Sequence, residues 1–238
     1  MIQTVREMET LAMTGRFGDM PTHFEIQLEE LHTNLVTLGE LCEEAITLSA
    51  KTLESHDPKM AKQVFAADRE IEKKERELEA LCMYLLLHQQ PVAGDLRQIS
   101  AALRMISDME RIGDQAADIA DMSKFIDKTD VHLPEIVSKM TDTTVEMVTE
   151  SVRAFVKTDL DLCRKVINDD DKVDEAFNEI KEILARMISE QKLDAKAALD
   201  LLMIAKYLER IGDHAVNIAE WVEYSLTGIH RNNEHQNI

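Results

Sequence analysis

Apolar residues recur every three or four positions along most of the chain, which is the period of an amphipathic α-helix. In the first segment they form one stripe: Leu28, Leu31, Leu35, Leu38, Leu41, Ala45 and Leu48. Asp57 and Pro58 predict a helix cap and first turn, whereas Gln90, Pro91 and Gly94 predict a break. The whole pattern predicts six helices, near 22–55, 57–88, 95–127, 134–157, 159–190 and 194–226.

The third and sixth predicted helices contain an internal repeat. Glu110–Asp114 and Glu209–Asp213 share the sequence Glu-Arg-Ile-Gly-Asp, and eight of twelve residues are identical between 110–121 and 209–220. Similarity of this length at two places in one chain indicates a duplicated structural unit.

A second similarity shows how much of the chain is repeated, because Met60–Val64 aligns with Leu162–Val166 on the second and fifth helices. The repeated unit therefore contains three helices. Long helices joined by short links pack lengthwise and antiparallel. The predicted fold is all-α, with two tandem three-helix bundles. The predicted divisions are an N-terminal extension over 1–21, which is a flexible arm or a short helix, bundles over 22–128 and 129–228, and a C-terminal tail over 229–238.

Composition supports the helical prediction and narrows the class of partner. The chain has only seven Gly and four Pro, and aromatic residues make up 4%, so helix formers outweigh strand formers. The formal net charge of −19 argues against nucleic acid, because proteins bind phosphate backbones through Lys and Arg clusters. Cations and basic protein surfaces are favoured, and the alternative is that the acidity serves solubility.

The cysteines and the apolar runs bear on the compartment. Cys42, Cys82 and Cys163 are isolated and have no zinc-ribbon or disulfide spacing, which indicates a reducing interior. The apolar run 81–87 is far shorter than the roughly 20 residues of a spanning helix, and 1–18 has no continuous apolar signal core. The sequence predicts a cytoplasmic protein that touches membranes only through partners.

Acidic residues on the third helix fall in line with an apolar stripe. The stripe consists of Leu96, Ile99, Leu103 and Ile106, and the acids that continue it are Glu110, Asp114 and Asp121. The core face is therefore expected to become acidic partway along the helix. Gly113 beside it would let a neighbouring helix or a ligand approach. The sixth helix repeats this arrangement, with Asn217 where the third helix has Asp118.

The second and fifth helices carry acid pairs four residues apart, Asp68 with Glu72 and Asp170 with Asp174. Two helices of each bundle can thus present carboxylates to each other. Crowded carboxylates repel and raise one another's pKa, and bridging cations relieve that repulsion. The sequence predicts one carboxylate-rich metal site per bundle, suited to magnesium, manganese or iron better than to structural zinc.

Three alternatives to a non-catalytic metal site stay open. In the first, Glu110, Asp114 and Asp118 lie on a solvated flank, with Arg104 and Arg111 as surface ion-pair partners. In the second, the clusters belong to a carboxylate-bridged metalloenzyme, an oxidase or a phosphatase. In the third, the chain is a helical scaffold that binds no metal.

Two histidines are predicted to be surface residues. Glu29-x-x-His32 has the spacing of one arm of a di-iron site, but the equivalent of His32 in the second repeat is Pro134. The counterpart of His214 is Gln115, which argues against a ligand role there.

The motifs together closely resemble the PhoU family, the phosphate-regulon regulators of bacteria. The resemblance covers about 22–228 and rests on the paired Glu-Arg-Ile-Gly-Asp helices, on Gln90-Pro91-x-x-x-Asp95-Leu96-Arg97 and on Asp171-Lys172-x-Asp174. It implies two bundles side by side whose acidic surface motifs bind multinuclear metal clusters. The ligands carried over by position are Asp68, Glu72, Glu110, Asp114 and Asp118 in one bundle, and Asp170, Asp174, Glu209, Asp213 and Asn217 in the other.

The resemblance also implies a role. Family members are non-enzymatic cytoplasmic regulators, commonly dimeric, that link the phosphate-specific ABC transporter to the PhoR sensor kinase. They suppress phosphate uptake and phosphate-starvation genes when phosphate is plentiful. For this chain the implication is a metal-dependent homodimeric adaptor that docks on the transporter's ATPase subunit and on a PhoR-type kinase.

Overall fold

The computed structural model describes residues 22–55, 57–126 and 135–229. This part of the chain contains six long α-helices and no strand, so the all-α prediction is confirmed. The predicted extension over 1–21 and almost all of the tail over 229–238 lie outside the described residues. The helices are α1 (His23–Ser55), α2 (Pro58–His88), α3 (Ala93–Ile126), α4 (Glu135–Lys157), α5 (Leu160–Ser189) and α6 (Ala195–Thr227).

Local chemistry fixes most of the helix ends where the sequence placed them. Asp57 caps α2 by accepting a hydrogen bond from the backbone N–H of Lys59 at 2.9 Å. Asp159 and Asp194 cap α5 and α6 in the same way. The predicted break after α2 is present, with Gln90 at a φ of 46°, and α3 begins at Ala93, two residues before the predicted start near Asp95.

The helices form two groups of three that lie side by side. In the first group α1, α2 and α3 pack on one another, and in the second α4, α5 and α6 do so. The groups meet through α3 against α6 and α1 against α4. At Gly39 on α1, an added Cβ would lie 2.9 Å from Cγ2 of Val152, so the missing side chain permits the close approach of α4. One apolar core runs through both groups.

The core face of α3 stays apolar except at Gln115 and Ser123, and the prediction that it becomes acidic is wrong. Ile106, Met109, Ile112 and Ala116 are fully buried, whereas Leu96 is 46% exposed. These buried residues recur at steps of three and four, so they stay on the side of α3 that faces α1 and α6. The acids lie beside this stripe, on the flank that faces α2.

Packing between the groups also changes the environment of His32. Its ring makes an edge contact with Phe155 of α4, with centroids 5.1 Å apart, and burial lowers the pKa of the imidazole. The prediction of a surface histidine is therefore wrong.

None of the helices in the described ranges has the length and apolar character that a membrane span needs. Cys42, Cys82 and Cys163 are buried free thiols.

Candidate metal centres

Each helix group places carboxylates from two neighbouring helices along one groove. We call them cluster 1, between α2 and α3, and cluster 2, between α5 and α6. Residues four apart share a helix face, so each helix contributes an aligned row of acids. Cluster 1 consists of Asp68, Glu72, Glu110, Asp114 and Asp118, and cluster 2 consists of Asp170, Asp174, Glu209, Asp213 and Asn217.

Asp68 is the most constrained acid of cluster 1. An added Cβ on Gly113 would lie 3.1 Å from its Oδ1, so this oxygen lies against the backbone of α3. The same Oδ1 is buried and has no hydrogen-bond partner among the described residues. Burial, followed by the charges of Asp114 and Glu72, raises the pKa of Asp68 to about 6. A buried carboxylate oxygen without a donor favours a cation as its partner.

Cluster 2 has a similar but looser arrangement around Asp170. Its Oδ1 lies 3.5 Å from the position of an added Cβ on Gly212. Burial raises the pKa of Asp170 to about 6, with further contributions from Asp213, Asp174 and Glu209. Burial and the charge of Glu209 also raise the pKa of Asp213. In both copies of the repeat, burial and neighbouring acids therefore disfavour the charged form of one aspartate.

Among the remaining acids of cluster 1, Glu72 forms an ion pair with Arg76 at 3.5 Å, whereas Glu110 has other acids as its main charged neighbours. Burial and then Asp114 raise the pKa of Glu110, while the nearby charge of Arg111 only partly opposes them. Arg104 lies over the ring of Trp221, 5.6 Å from its centroid. The solvated-flank alternative is thus half right, because the acids lie beside the core but their main neighbours are other acids.

Contacts between α3 and α6 engage one residue of each cluster. Asp118 accepts a hydrogen bond from Tyr207, and Asn217 Nδ2 donates to Asp108 Oδ1 at 3.3 Å. The internal repeat relates these two contacts, since 118 aligns with 217 and 108 with 207. Asn217 is therefore turned toward Asp108.

His214 joins the same contact, and its predicted surface position is wrong. Its Nδ1 lies 2.9 Å from Asp108 Oδ1, and the two side chains are only 13% and 14% exposed. In cluster 2 Lys206 forms an ion pair with Glu209, whereas its counterpart in the first repeat is Ser107. Cluster 2 thus offers fewer unengaged carboxylate oxygens than cluster 1. The sequence signals for this difference are Lys206, three residues before Glu209, and Asn217 in place of an aspartate.

The donor set fits hard multivalent cations. All the charged members are carboxylates, which suit magnesium, manganese and iron. In the described part of the chain, no three His, Cys, Asp or Glu side chains are already gathered as ligands around one point. Coordination therefore requires side-chain rotation, which Asp114 and Asp213 can make because both are exposed.

Alanine at the two cluster glycines is expected to have different effects. Both changes gain about 1 kcal/mol of helix propensity. At Gly113 the new Cβ would lie only 3.0 Å from Cδ1 of Ile71, whereas at Gly212 the nearest atom, Cγ1 of Val173, lies at 3.4 Å. We expect Gly113→Ala to be less stable than Gly212→Ala by about 1–2 kcal/mol in urea unfolding, since overpacking opposes the gain. Equal stabilities would contradict the tight α2–α3 contact.

Metal-free protein is expected to become more stable as the pH falls from about 7 to about 4. Asp68 and Asp170 have pKa values of about 6 in the folded state, above the ordinary aspartate value of about 3.9. Their stabilising contribution is therefore fully present below the unfolded pKa and is lost as pH rises through 6. Solvent screens these half-buried groups, so each contributes about 1 kcal/mol. Urea unfolding with chelator at pH 5 and 7.5 checks this, and lower stability at pH 5 would contradict it.

Comparison with known proteins matches the same two halves. A family model described as the PhoU domain matches residues 35–123 and 137–222. The phosphate-specific transport system accessory protein PhoU homolog of Clostridium acetobutylicum is 35% identical, over 86% of this chain and 94% of that protein. The Escherichia coli protein PhoU is 29% identical, over 86% of each. The crystal structure of PhoU from Pseudomonas aeruginosa has a TM-score of 0.81 at 30% identity, and covers 87% of this chain and 100% of that chain. This chain belongs to the PhoU family.

Proposed function

We propose that this protein is a regulatory accessory protein of a phosphate-specific transport system, and that its two carboxylate clusters bind metal. Its relatives in Clostridium acetobutylicum and Escherichia coli are named as accessory proteins of that system. The observation that carries the metal proposal is the buried Asp68 Oδ1, which has no donor among the described residues and lies among further carboxylates. A helical scaffold that binds no metal would gain nothing from such an oxygen, because a buried acceptor without a hydrogen-bond partner is destabilising.

Metal would act by linking neighbouring helices. A bound cation supplies positive charge to facing carboxylates. In cluster 1 Asp68 and Glu72 of α2 would share it with Glu110 and Asp114 of α3. In cluster 2 Asp170 and Asp174 of α5 would share it with Asp213 and, after release from Lys206, with Glu209. With metal bound, the two clusters would carry less negative charge, and the helices that form them would be held together more rigidly when partners dock.

The partners we propose are the ATPase subunit of the transporter and a PhoR-type sensor kinase, with the protein acting as a cytoplasmic homodimer. The net charge of −19 favours basic docking surfaces. The exposed positions of Asp114 and Asp213 support a binding role over catalysis, because the clusters open to solvent along a groove. Repression of uptake in plentiful phosphate then follows from docking on both partners.

Deleting the gene tests the regulatory role. In phosphate-rich medium the deletion should raise alkaline phosphatase and phosphate uptake, and the wild-type gene should restore repression. Asp68→Asn/Asp170→Asn should restore it poorly although the protein is folded and present at equal amounts. Unchanged alkaline phosphatase and uptake after deletion would overturn the regulatory proposal. Full repression by the double variant would remove only the metal part of it.

A further inference from the structure

One end of the first bundle exposes several large apolar side chains. They come from the last turns of α2, the turn after it, and the first turns of α1 and α3. We call them the end patch: Ile26, Met83, Tyr84, Leu87, Val92 and Leu96. Leu87 and Val92 are each 70% exposed. Grouped exposed apolar residues mark a surface that makes contacts.

Local contacts hold the members of the end patch at one end of the bundle. Gln89 Nε2 donates to Gln27 Oε1 at 3.0 Å, which ties the end of α2 to the start of α1. The turn from α2 to α3 is short, because α2 ends at His88 and α3 begins at Ala93. The ring of Tyr84 stacks on His88 with centroids 4.4 Å apart, so it lies along the surface of α2.

The corresponding end of the second bundle is more polar. Among the described residues there, the exposed large apolar side chains are Ile188 and Leu199. The positions aligned with two members of the end patch hold polar residues. These replacements are Tyr84 to Arg186 and Leu87 to Ser189. Among the described residues, this apolar surface is therefore a feature of the first bundle's end and is not repeated at the corresponding end of the second.

The first bundle, unlike the second, carries the extension over 1–21, and this extension joins α1 beside the end patch. Thr22 and Glu25 form a capping box, in which Thr22 N donates to Glu25 Oε2 at 2.7 Å and Glu25 N donates to Thr22 Oγ1 at 3.2 Å. The chain thus enters α1 immediately before Ile26. A segment of this length reaches about 30 Å as a helix and about 70 Å when extended, so it can cover the bundle end.

The sequence of the extension suits an apolar surface. Ile2, Val5, Met8 and Ala12 recur at spacings of three and four, which is typical of one apolar helix face. We propose that residues 1–21 bind the end patch of their own chain. Covalent attachment makes the contact intramolecular, so a modest apolar area is enough to hold it.

Limited trypsin digestion of the full chain tests the proposal, because Arg16 and Arg6 provide cleavage sites within the extension. In Leu87→Glu/Val92→Glu, cleavage after Arg16 should be roughly tenfold faster than in wild type, since a buried leucine contact is lost. Ile188→Glu/Leu199→Glu places the same charges at the other bundle end and should leave the rate unchanged. Equal rates in the wild type and the end-patch variant would overturn the proposal.

Hydrogen exchange gives a second readout that needs no substitution in the patch. Removing residues 2–20 should speed exchange in 83–96, and adding a synthetic peptide of residues 1–21 should slow it again. Unchanged exchange in the truncated protein would overturn the proposal. A shift from dimer to monomer in Leu87→Glu/Val92→Glu, with trypsin cleavage unchanged, would assign the end patch to a second copy and also overturn it.

Discussion

Manganese is expected to stabilise the wild-type protein strongly and to leave Asp68→Asn/Asp170→Asn almost unaffected. At a concentration of 100 times the dissociation constant, one bound cation adds about 2.7 kcal/mol, which corresponds to a rise in Tm of roughly 5–10 °C for a domain of this size. Each asparagine replaces a carboxylate, Asp68 in cluster 1 or Asp170 in cluster 2, with a neutral amide and so removes it as a charged ligand. They also relieve repulsion, so the metal-free double variant should be more stable than metal-free wild type by about 1–2 kcal/mol at pH 7.5.

Thermal unfolding with chelator and with manganese checks both halves of this expectation. Asp161→Asn/Glu135→Gln is the matched control, because it also removes two negative charges, but from exposed positions outside the clusters. This control should keep the full response to manganese. An equal rise in Tm for wild type and for Asp68→Asn/Asp170→Asn would place the metal elsewhere or leave only a general charge effect.

The two clusters are expected to differ in affinity, and Lys206→Ser/Asn217→Asp should remove much of the difference. The change gives cluster 2 the residues that cluster 1 has at the aligned positions, Ser107 and Asp118. It frees Glu209 from its ion pair and adds a carboxylate. Removing a nearby positive charge and adding a negative one should tighten cation binding at cluster 2 roughly tenfold.

Isothermal titration with manganese measures this change, and the reverse exchange in cluster 1 provides the control. Ser107→Lys/Asp118→Asn should weaken binding by a similar factor, because it reproduces the residues of cluster 2. If both double variants bind manganese as the wild type does, then Lys206 and Asn217 have no part in the asymmetry. Opposite changes of the two affinities would link the asymmetry to these positions.

The sequence was sufficient to predict what depends on neighbours within one helix. Helix number and approximate bounds follow from apolar spacing and from caps such as Asp57, whose hydrogen bonds are local. The pairing of acid rows follows from residues four apart on facing helices of a repeated unit. Gly113 beside the acid row predicts a point of close approach, and the structure places Asp68 and Ile71 against it.

What the sequence could not predict depends on register between distant helices. His214 contacts Asp108 across 106 positions of the chain, and the contact exists only because α3 and α6 pack at one particular offset. His32 is covered by Phe155 for the same kind of reason. Apolar spacing alone misplaces the core stripe of α3, because a shift of one residue around a helix exchanges the buried face for its flank.

The most direct test of the central claim is the position of bound metal. Crystals of the full chain grown with manganese should show anomalous density at two places, between Asp68 and Asp114 and between Asp170 and Asp213. Crystals of Asp68→Asn/Asp170→Asn should show none there. The account is contradicted if wild-type crystals soaked with manganese or iron show no anomalous density at either cluster and Asp68 Oδ1 still has no partner.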